Sequence, residues 1–180
     1  MLVNDAQKEV RTVFMGGFWG QLVSSVLWLT SAALGTWVSP KAAIAVLVFG
    51  GFFIFPATQL LLRLTGGRAS LKKENPFGFL AMQVAFTLPI CMLLLVPVTE
   101  FRLNLFYPAF MIILGAHYLP FTFLYGMQMF IPLSAILIAG GIGTVYLAPG
   151  PFSAGGWLAG LTLLIFAWIG RTSVRADLGA

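Results

Sequence analysis

The sequence predicts an all-α integral membrane protein with six transmembrane helices and both termini in the cytoplasm. The first observation behind this prediction is composition: of the 180 residues, 59% are hydrophobic and only 8% are charged. A soluble domain carries about 25% charged residues, so this chain has too few polar side chains to cover a surface that faces water. Its apolar runs are continuous rather than alternating, which favours membrane helices over the strands of a barrel.

Six apolar stretches of membrane-spanning length follow one another with short connections. The predicted spans are Val13–Trp37, Ala42–Leu62, Phe77–Val98, Asn104–Leu124, Met127–Leu147 and Ala154–Gly170. Because they occupy most of the chain, we predict one transmembrane domain over residues 1–180. The polar residues 4–11 before the first span suit a short helix at the membrane interface.

Local signals mark several span boundaries. Ser39–Pro40 and Asn75–Pro76 each place a capping side chain before a proline, which is typical of a helix start. Gly126 follows the fourth span as a helix stop. Residues 149–151, Pro-Gly-Pro, break the chain after the fifth span, and Ser153 is placed to cap the sixth.

The distribution of positive charge is the second observation, and it predicts the orientation. Eight of the ten Lys and Arg residues lie before span one, between spans two and three, or after span six: Lys8, Arg11, Arg63, Arg68, Lys72, Lys73, Arg171 and Arg175. Lys41 and Arg102 are the two on the other side. The positive-inside rule therefore places both termini in the cytoplasm.

Several functional classes lack their usual residues. The five acids, Asp5, Glu9, Glu74, Glu100 and Asp177, all fall at or outside the predicted interfaces, and no Lys or Arg falls within a span. Ion pumps usually need an intramembrane carboxylate, and a retinal protein needs a buried lysine. No metal-ligand cluster is recognisable, so we expect no metal and no cofactor. The net charge of +5 indicates contact with anionic lipid rather than with nucleic acid.

Neutral polar residues within the spans form the candidate ligand-binding site. Gln21, Gln83 and His117 each lie seven or eight residues from a cytoplasmic helix end, about 10–12 Å below that boundary. Gln59 lies shallower on the same side, and Tyr118 follows His117. His117 is the single histidine and the one side chain in a span that would titrate near neutral pH.

Each of these features also has a purely structural interpretation. Buried Gln and His side chains serve as hydrogen-bonding glue between transmembrane helices. Four prolines, Pro56, Pro89, Pro120 and Pro132, interrupt different spans; each either kinks a helix or frees a carbonyl in a lumen. Gly115, Tyr118, Thr122 and Tyr125 share one helix face and either line a pocket or pack.

Small residues recur at helical spacing on three spans. The ridges are Gly16, Gly20 and Ser24 on the first span, Ala135, Ala139 and Gly143 on the fifth, and Gly156 and Gly160 on the sixth. Such ridges let helices approach closely. They serve packing within one chain or between the subunits of a homo-oligomer, and the sequence leaves both alternatives open.

Three segments resemble a family of uncharacterised bacterial multi-pass membrane proteins, catalogued as a domain of unknown function. They are Phe14–Ser24, Phe53–Leu60, and Phe106–Met111 continuing to Gly115–Phe121. The resemblance implies a bacterial inner-membrane protein of similar length and carries no activity with it. It places Gln21, Gln59 and His117 inside the motifs of that family.

Three functional hypotheses follow from the sequence. The first is a transporter, channel or solute-binding component whose polar pocket in the cytoplasmic half, formed by Gln21, Gln59, Gln83, His117 and Tyr118, takes a small neutral or aromatic molecule. The second is a non-catalytic structural or regulatory membrane protein whose polar residues are glue. The third is an enzyme acting on lipid or quinone with His117 as acid or base. It ranks last because neither an intramembrane acid nor a nucleophile is near His117 in the sequence.

Overall fold

The computed structural model describes residues 1–146 and 150–177, and every regular element in these ranges is a helix. The α-helices are α1 Val3–Val13, α2 Phe18–Trp37, α3 Pro40–Gly51, α4 Ile54–Leu64, α5 Phe77–Met92, α6 Leu95–Phe101, α7 Phe106–Tyr125, α8 Phe130–Tyr146 and α9 Ala154–Asp177. Short 3₁₀ turns at Met15–Gly17 and Leu103–Leu105 precede α2 and α7. The prediction of an all-α fold is confirmed.

Three helical segments among the described residues, none with a sharp bend, are long and apolar enough to cross a membrane: Phe77–Phe101, Leu103–Tyr125 and Ala154–Ala176. Two further candidates are bent pairs, α1 with Met15–Trp37 at 60° and α3 with α4 at 56°. Counting each pair as one span gives five. The apolar helix α8, at 17 residues, is shorter than a typical span. Six continuous spans therefore remain a prediction.

Several predicted boundaries shift. The first predicted span began at Val13, but Val13 ends α1, and α2 begins at Phe18 after the bend. The fifth was predicted from Met127, but α8 begins at Phe130. Its predicted end at Leu147 lies outside the described residues, as does Pro149.

The α1–α2 bend depends on backbone conformations that favour glycine. Met15, Gly16 and Gly17 follow one another with φ of 50°, 64° and 82°. At this bend the main chain of Gly16 lies directly against that of Gly170 in α9: a Cβ on Gly16 would lie 2.5 Å from the Gly170 carbonyl oxygen, and a Cβ on Gly170 would lie 2.6 Å from that of Gly16. The absence of a side chain at both positions lets α9 pack against the turn.

Helix α1, residues 65–76 and the last turns of α7 and α9 lie at one end of the bundle, which we call the terminal face. The Gln7 amide donates to the Phe123 carbonyl of α7 at 2.6 Å. At the opposite face the Trp37 and Trp157 rings lie 5.8 Å apart, and the Thr36 and Ser153 hydroxyls are hydrogen-bonded.

Hydrogen bonds to Glu9 hold α1 on the terminal face. Its Oε1 accepts from the Lys72 backbone N–H at 2.9 Å, and its Oε2 accepts from the Asn75 amide at 3.0 Å. The pKa of Glu9 is lowered: desolvation raises it, but these hydrogen bonds and the nearby charges of Lys72 and Arg68 outweigh that effect. The predicted short helix in residues 4–11 is therefore real and is fastened to the 65–76 segment.

Most predicted helix signals act as expected. Ser39 caps α3 by accepting the Ala42 N–H, and Gly126 ends α7 with φ of 64°. The Asn75 side chain accepts the Phe77 N–H at the start of α5. Ser153, in contrast, accepts the Trp157 N–H with its carbonyl, while its hydroxyl bonds to Thr36.

The four prolines divide into two kinds. Pro89 and Pro120 lie inside α5 and α7, as predicted. Pro56 and Pro132 are instead the third residues of α4 and α8, where the backbone N–H has no partner within the helix to lose. Pro56 nevertheless follows directly on the 56° break between α3 and α4, so the predicted second span is interrupted there as expected, whereas the prediction that Pro132 interrupts the fifth span is wrong.

Glycines permit the closest helix contacts. The ridge on α9 packs within the chain as one alternative predicted: a Cβ on Gly156 would lie 2.7 Å from the Tyr107 ring, and one on Gly160 would lie 2.7 Å from Leu29. The ridge of small residues on α8 does not pack against another helix of the described chain. Ala135 and Ala139 are exposed, and nothing lies within 4 Å of a Cβ on Gly143.

Candidate functional site: a buried polar cluster around Gln21

One face of α2 carries a stripe of polar residues into the core. Gln21, Ser24, Ser25 and Ser31 are spaced so that they follow one side of the helix, and all four are buried. Trp28, between them, is also buried and contacts the Tyr107 and Phe110 rings of α7 at 5.9 and 4.9 Å. Trp28 therefore brings the stripe into contact with α7 across the interior of the bundle.

The serines of this stripe have hydrogen-bond partners on other helices. The Ser25 hydroxyl donates to the Gly160 carbonyl of α9 at 2.9 Å. The Ser31 hydroxyl donates to the Ala43 carbonyl of α3 at 2.8 Å and pairs with the Tyr107 hydroxyl at 2.6 Å. These contacts are interhelical glue of the kind that the structural interpretation predicted.

Gln21 behaves differently. Its side chain is only 2% exposed, yet neither its amide nitrogen nor its amide oxygen has a hydrogen-bond partner. A buried polar group without a partner costs about 1–3 kcal/mol, and native proteins leave few such groups. The Gln21 amide thus places an unpaired hydrogen-bond donor and an unpaired acceptor in the protein interior.

The surroundings of the Gln21 amide combine one hydroxyl with aromatic rings. The Gln21 nitrogen, the Tyr125 hydroxyl and the edge of the Phe130 ring all lie within 4 Å of the position that a Cβ on Gly17 would occupy. Gly17 has φ of 82°, a conformation that other residues rarely adopt. The bend before α2 thus leaves space beside the amide that a side chain would fill.

Aromatic side chains of α7 and α8 form the wall beyond the amide. Tyr118 is buried, its ring stacks on Phe130 at 6.1 Å with an interplanar angle of 10°, and its hydroxyl lies near that of Ser24. Phe121 and Tyr125 contact the same Phe130 ring at 5.5 and 5.2 Å. We call Gln21, Ser24, Tyr118, Tyr125 and Phe130, with Gly17, the Gln21 cluster.

His117 lies on the next face of α7. Its ring contacts Tyr118 and Phe121 edge-on, at 5.7 and 5.1 Å. It also approaches the backbone of Val84 in α5, and its Nδ1 is buried without a partner. The aromatic wall therefore joins His117 to the Gln21 cluster without direct contact between the two polar groups.

The other two predicted residues lie outside the cluster. Gln83 is exposed on α5, and its backbone carbonyl accepts a hydrogen bond from Thr87. Gln59 is half-buried on α4, next to Thr58, which packs against Gly20 of α2. The five predicted residues consequently do not form one closed set: Gln21 and Tyr118 come together, His117 adjoins them, and Gln83 faces outward.

Unpartnered polar atoms are concentrated in one half of the bundle. Among the described residues, the buried side-chain atoms without a hydrogen-bond partner are Trp19 Nε1, Gln21 Nε2 and Oε1, His117 Nδ1, Thr122 Oγ1 and Arg171 Nε. All belong to the parts of α2, α7 and α9 nearest the terminal face. The apolar half toward the opposite face contributes none in the part of the chain that the structure describes.

Two cavities on the described residues are lined by neither Gln21 nor Gln83 nor His117. One, of about 480 Å³, lies on the terminal face beside α1; the other, of about 50 Å³, lies on the opposite face near Arg102. Because Gln21, Tyr118 and Phe130 are buried, a solute would reach the Gln21 amide only if helices separated or side chains rotated.

Sequence reasoning missed Ser24 and Phe130 as neighbours of the glutamine. A signal for Ser24 was available, because Gln21, Ser24, Trp28 and Ser31 repeat at helical spacing. No local pattern marks Phe130, which reaches the cluster from α8 through the packing of α7 against α8.

A family model matches residues 3–172, nearly the whole chain. The chain belongs to the family of unknown function DUF7010. This membership confirms the resemblance to a domain of unknown function. No curated protein and no solved structure matches the chain. Within the described residues, no three His, Cys, Asp or Glu side chains are grouped in a way that could hold a metal ion.

Proposed function

We propose that this protein is a bacterial inner-membrane protein that crosses the bilayer six times, with the terminal face in the cytoplasm, and that binds a small neutral solute at the Gln21 cluster. Apolar helices compatible with a membrane protein support the location, and the asymmetry of Lys and Arg supports the orientation. In this arrangement α2 crosses the bilayer while α1 lies along the terminal face, the bent pair α3–α4 serves as a single span, and α8 crosses a locally thinned bilayer.

The observation that carries the binding proposal is the Gln21 amide, buried with both atoms unpartnered. In an apolar interior such an amide is stabilised only when a partner arrives. The Tyr125 hydroxyl beside it adds a second hydrogen-bonding group. No described acid or base lies in the cluster, so an uncharged ligand suits it best.

The rings around the amide narrow the ligand class. Tyr118, Phe121, Tyr125 and Phe130 contact one another edge-on or in tilted stacks, and such rings accept a further aromatic ring readily. An aromatic molecule carrying one amide or N–H group would match both the wall and the Gln21 amide. Transport and simple solute binding share this site and differ in whether the cluster also opens to the opposite face.

A panel of neutral probes tests the proposal. Purified protein in neutral detergent is melted with benzamide, nicotinamide and indole, and with cyclohexanecarboxamide as the amide without an aromatic ring. We expect the aromatic probes to raise the melting temperature in the wild type and to leave that of Gln21→Met unchanged. The matched control, Gln128→Met, changes an exposed glutamine at the start of the α8 region and should respond as the wild type does.

The second hypothesis, a non-catalytic structural role, is favoured by the closed packing of the cluster and by the satisfied Ser25 and Ser31 bonds. The two readings differ in the ligand-free protein. If Gln21 is glue held by an ordered water, Gln21→Met lowers the melting temperature and no probe raises that of the wild type.

A further inference from the structure

The larger cavity lies away from the Gln21 cluster, in a groove between α1 and the 65–76 segment on the terminal face. Its volume is about 480 Å³, which is within the range of small-molecule sites, about 300–1,000 Å³. The 60° bend at Met15–Gly17 creates the groove, because it turns α1 across the end of the bundle instead of continuing α2.

Three cations from two separate parts of the chain line the groove: Lys8 of α1, and Arg68 and Lys72 of the 65–76 segment. All three side chains are exposed. Arg and Lys donors that converge from different elements suit a phosphate, to which arginine donates in a fork and lysine acts as a point charge.

The acids of the groove offset part of this positive charge. The Glu9 carboxylate accepts hydrogen bonds from the Lys72 backbone and the Asn75 side chain, and it lies near the charges of Lys72 and Arg68. Asp5 is the other acid in the lining, which leaves the lining with one more cation than acid.

Part of the remaining lining is apolar. Val13 and Met15 contribute side chains at the point where α1 meets the bundle. A ligand that combines a phosphate with an apolar portion would satisfy both parts of the groove, whereas a purely polar anion would use one part.

From this geometry we propose that the groove binds a phosphate ester through Lys8, Arg68 and Lys72, with the apolar part of the ester against Val13 and Met15. Two sources share this chemistry: the headgroup of an anionic phospholipid and a soluble phosphorylated molecule. In either case the bound phosphate bridges α1 and the 65–76 segment, and so it stabilises the packing of these two parts of the terminal face against each other.

Three probes separate the parts of the proposal. Dioctanoyl phosphatidylglycerol carries phosphate and chains, dioctanoylglycerol carries only chains, and inorganic phosphate carries only the anion. Each is titrated into the purified protein in neutral detergent, and the ligand-dependent rise in melting temperature gives an apparent Kd.

Two double variants remove the same charge from the same face. Arg68→Gln/Lys72→Gln removes cations of the groove, whereas Arg63→Gln/Lys73→Gln removes neighbouring cations that do not line it. All four side chains are exposed, so we expect both variants to fold. Lys8→Gln approaches the groove from α1 and serves as an independent third variant.

We expect phosphatidylglycerol to bind the wild type, with an apparent Kd about tenfold or more weaker in Arg68→Gln/Lys72→Gln and also weaker in Lys8→Gln. The Arg63→Gln/Lys73→Gln variant should bind as the wild type does. If inorganic phosphate shows the same variant dependence at comparable affinity, the ligand is a soluble phosphate; if only the lipid binds, it is a headgroup.

Three results would overturn the proposal. Equal weakening in both double variants would mean attraction to general surface charge. Equal binding of dioctanoylglycerol and phosphatidylglycerol would mean that the phosphate is not recognised. Failure of both phosphate compounds to bind the folded wild type would mean that the groove is no anion site.

Discussion

Replacing Gln21 with methionine should stabilise the ligand-free protein, although it changes a fully buried residue. Core substitutions usually destabilise. Here the native side chain is 2% exposed with two unpartnered amide atoms, and leaving such a group unsatisfied costs about 1–3 kcal/mol. Methionine is unbranched, similar in length and adaptable in packing, so it removes the polar atoms and fills the same space beside Tyr125 and Phe130.

The expected gain in the free energy of unfolding is therefore about 1–3 kcal/mol, a rise in melting temperature of roughly 2–12 °C for a chain of this size. Intrinsic tryptophan fluorescence during heating in detergent measures it, since the chain has five Trp residues. The exposed control Gln128→Met should stay within about 0.5 kcal/mol of the wild type.

A lower melting temperature for Gln21→Met would refute the reasoning, because it would mean that the amide has a partner, such as an ordered water, in the folded protein. A higher melting temperature together with an unchanged response to benzamide would place the solute elsewhere. If Gln21 is a binding residue, Gln21→Met should be more stable than the wild type and should no longer respond to benzamide, since functional sites often retain groups that reduce stability.

Three further predictions concern packing, pH and topology. Gly170→Ala should lower stability by about 1–3 kcal/mol or more, because its Cβ would lie 2.6 Å from a backbone oxygen, while Gly143→Ala, in open space, should be neutral or stabilising in the same melting experiment. In the folded protein the pKa of Glu9 is lowered from 4.5. The stability that the Glu9 carboxylate gives to the packing of α1 is therefore present above pH 4.5 and is lost as the pH falls through the lower pKa of the folded state. Hydrogen exchange in α1 should accelerate in that acidic range, and much less so in Glu9→Gln, which lacks the titrating group. In a background without the native cysteine, Ser70→Cys should react with an impermeant maleimide only from the cytoplasmic side and Asn104→Cys only from the other; the reverse pattern, or labelling of both from one side, would refute the proposed topology.

The sequence by itself determined the features that depend on composition and on short-range chemistry. A chain with so few charges and continuous apolar runs has no stable alternative to packed helices. Ser39 and Gly126 act at helix ends because a hydroxyl cap and a left-handed glycine are satisfied by neighbours a few residues away. The polar stripe of α2 also follows from sequence, because helical spacing alone places Gln21 and Ser31 on one face.

Tertiary structure decided which polar residues are inside. Gln21 and Gln83 have similar depths in their predicted spans, yet one is buried and the other exposed. The difference arises because α2 is packed on several sides while α5 contacts the bundle along one side, where Val84 is buried. Burial depends on neighbours far away in the chain, which no local pattern specifies. The α1–α2 bend is a similar case. The glycines permit the bend, but its position against α9 depends on the tertiary contact between Gly16 and Gly170.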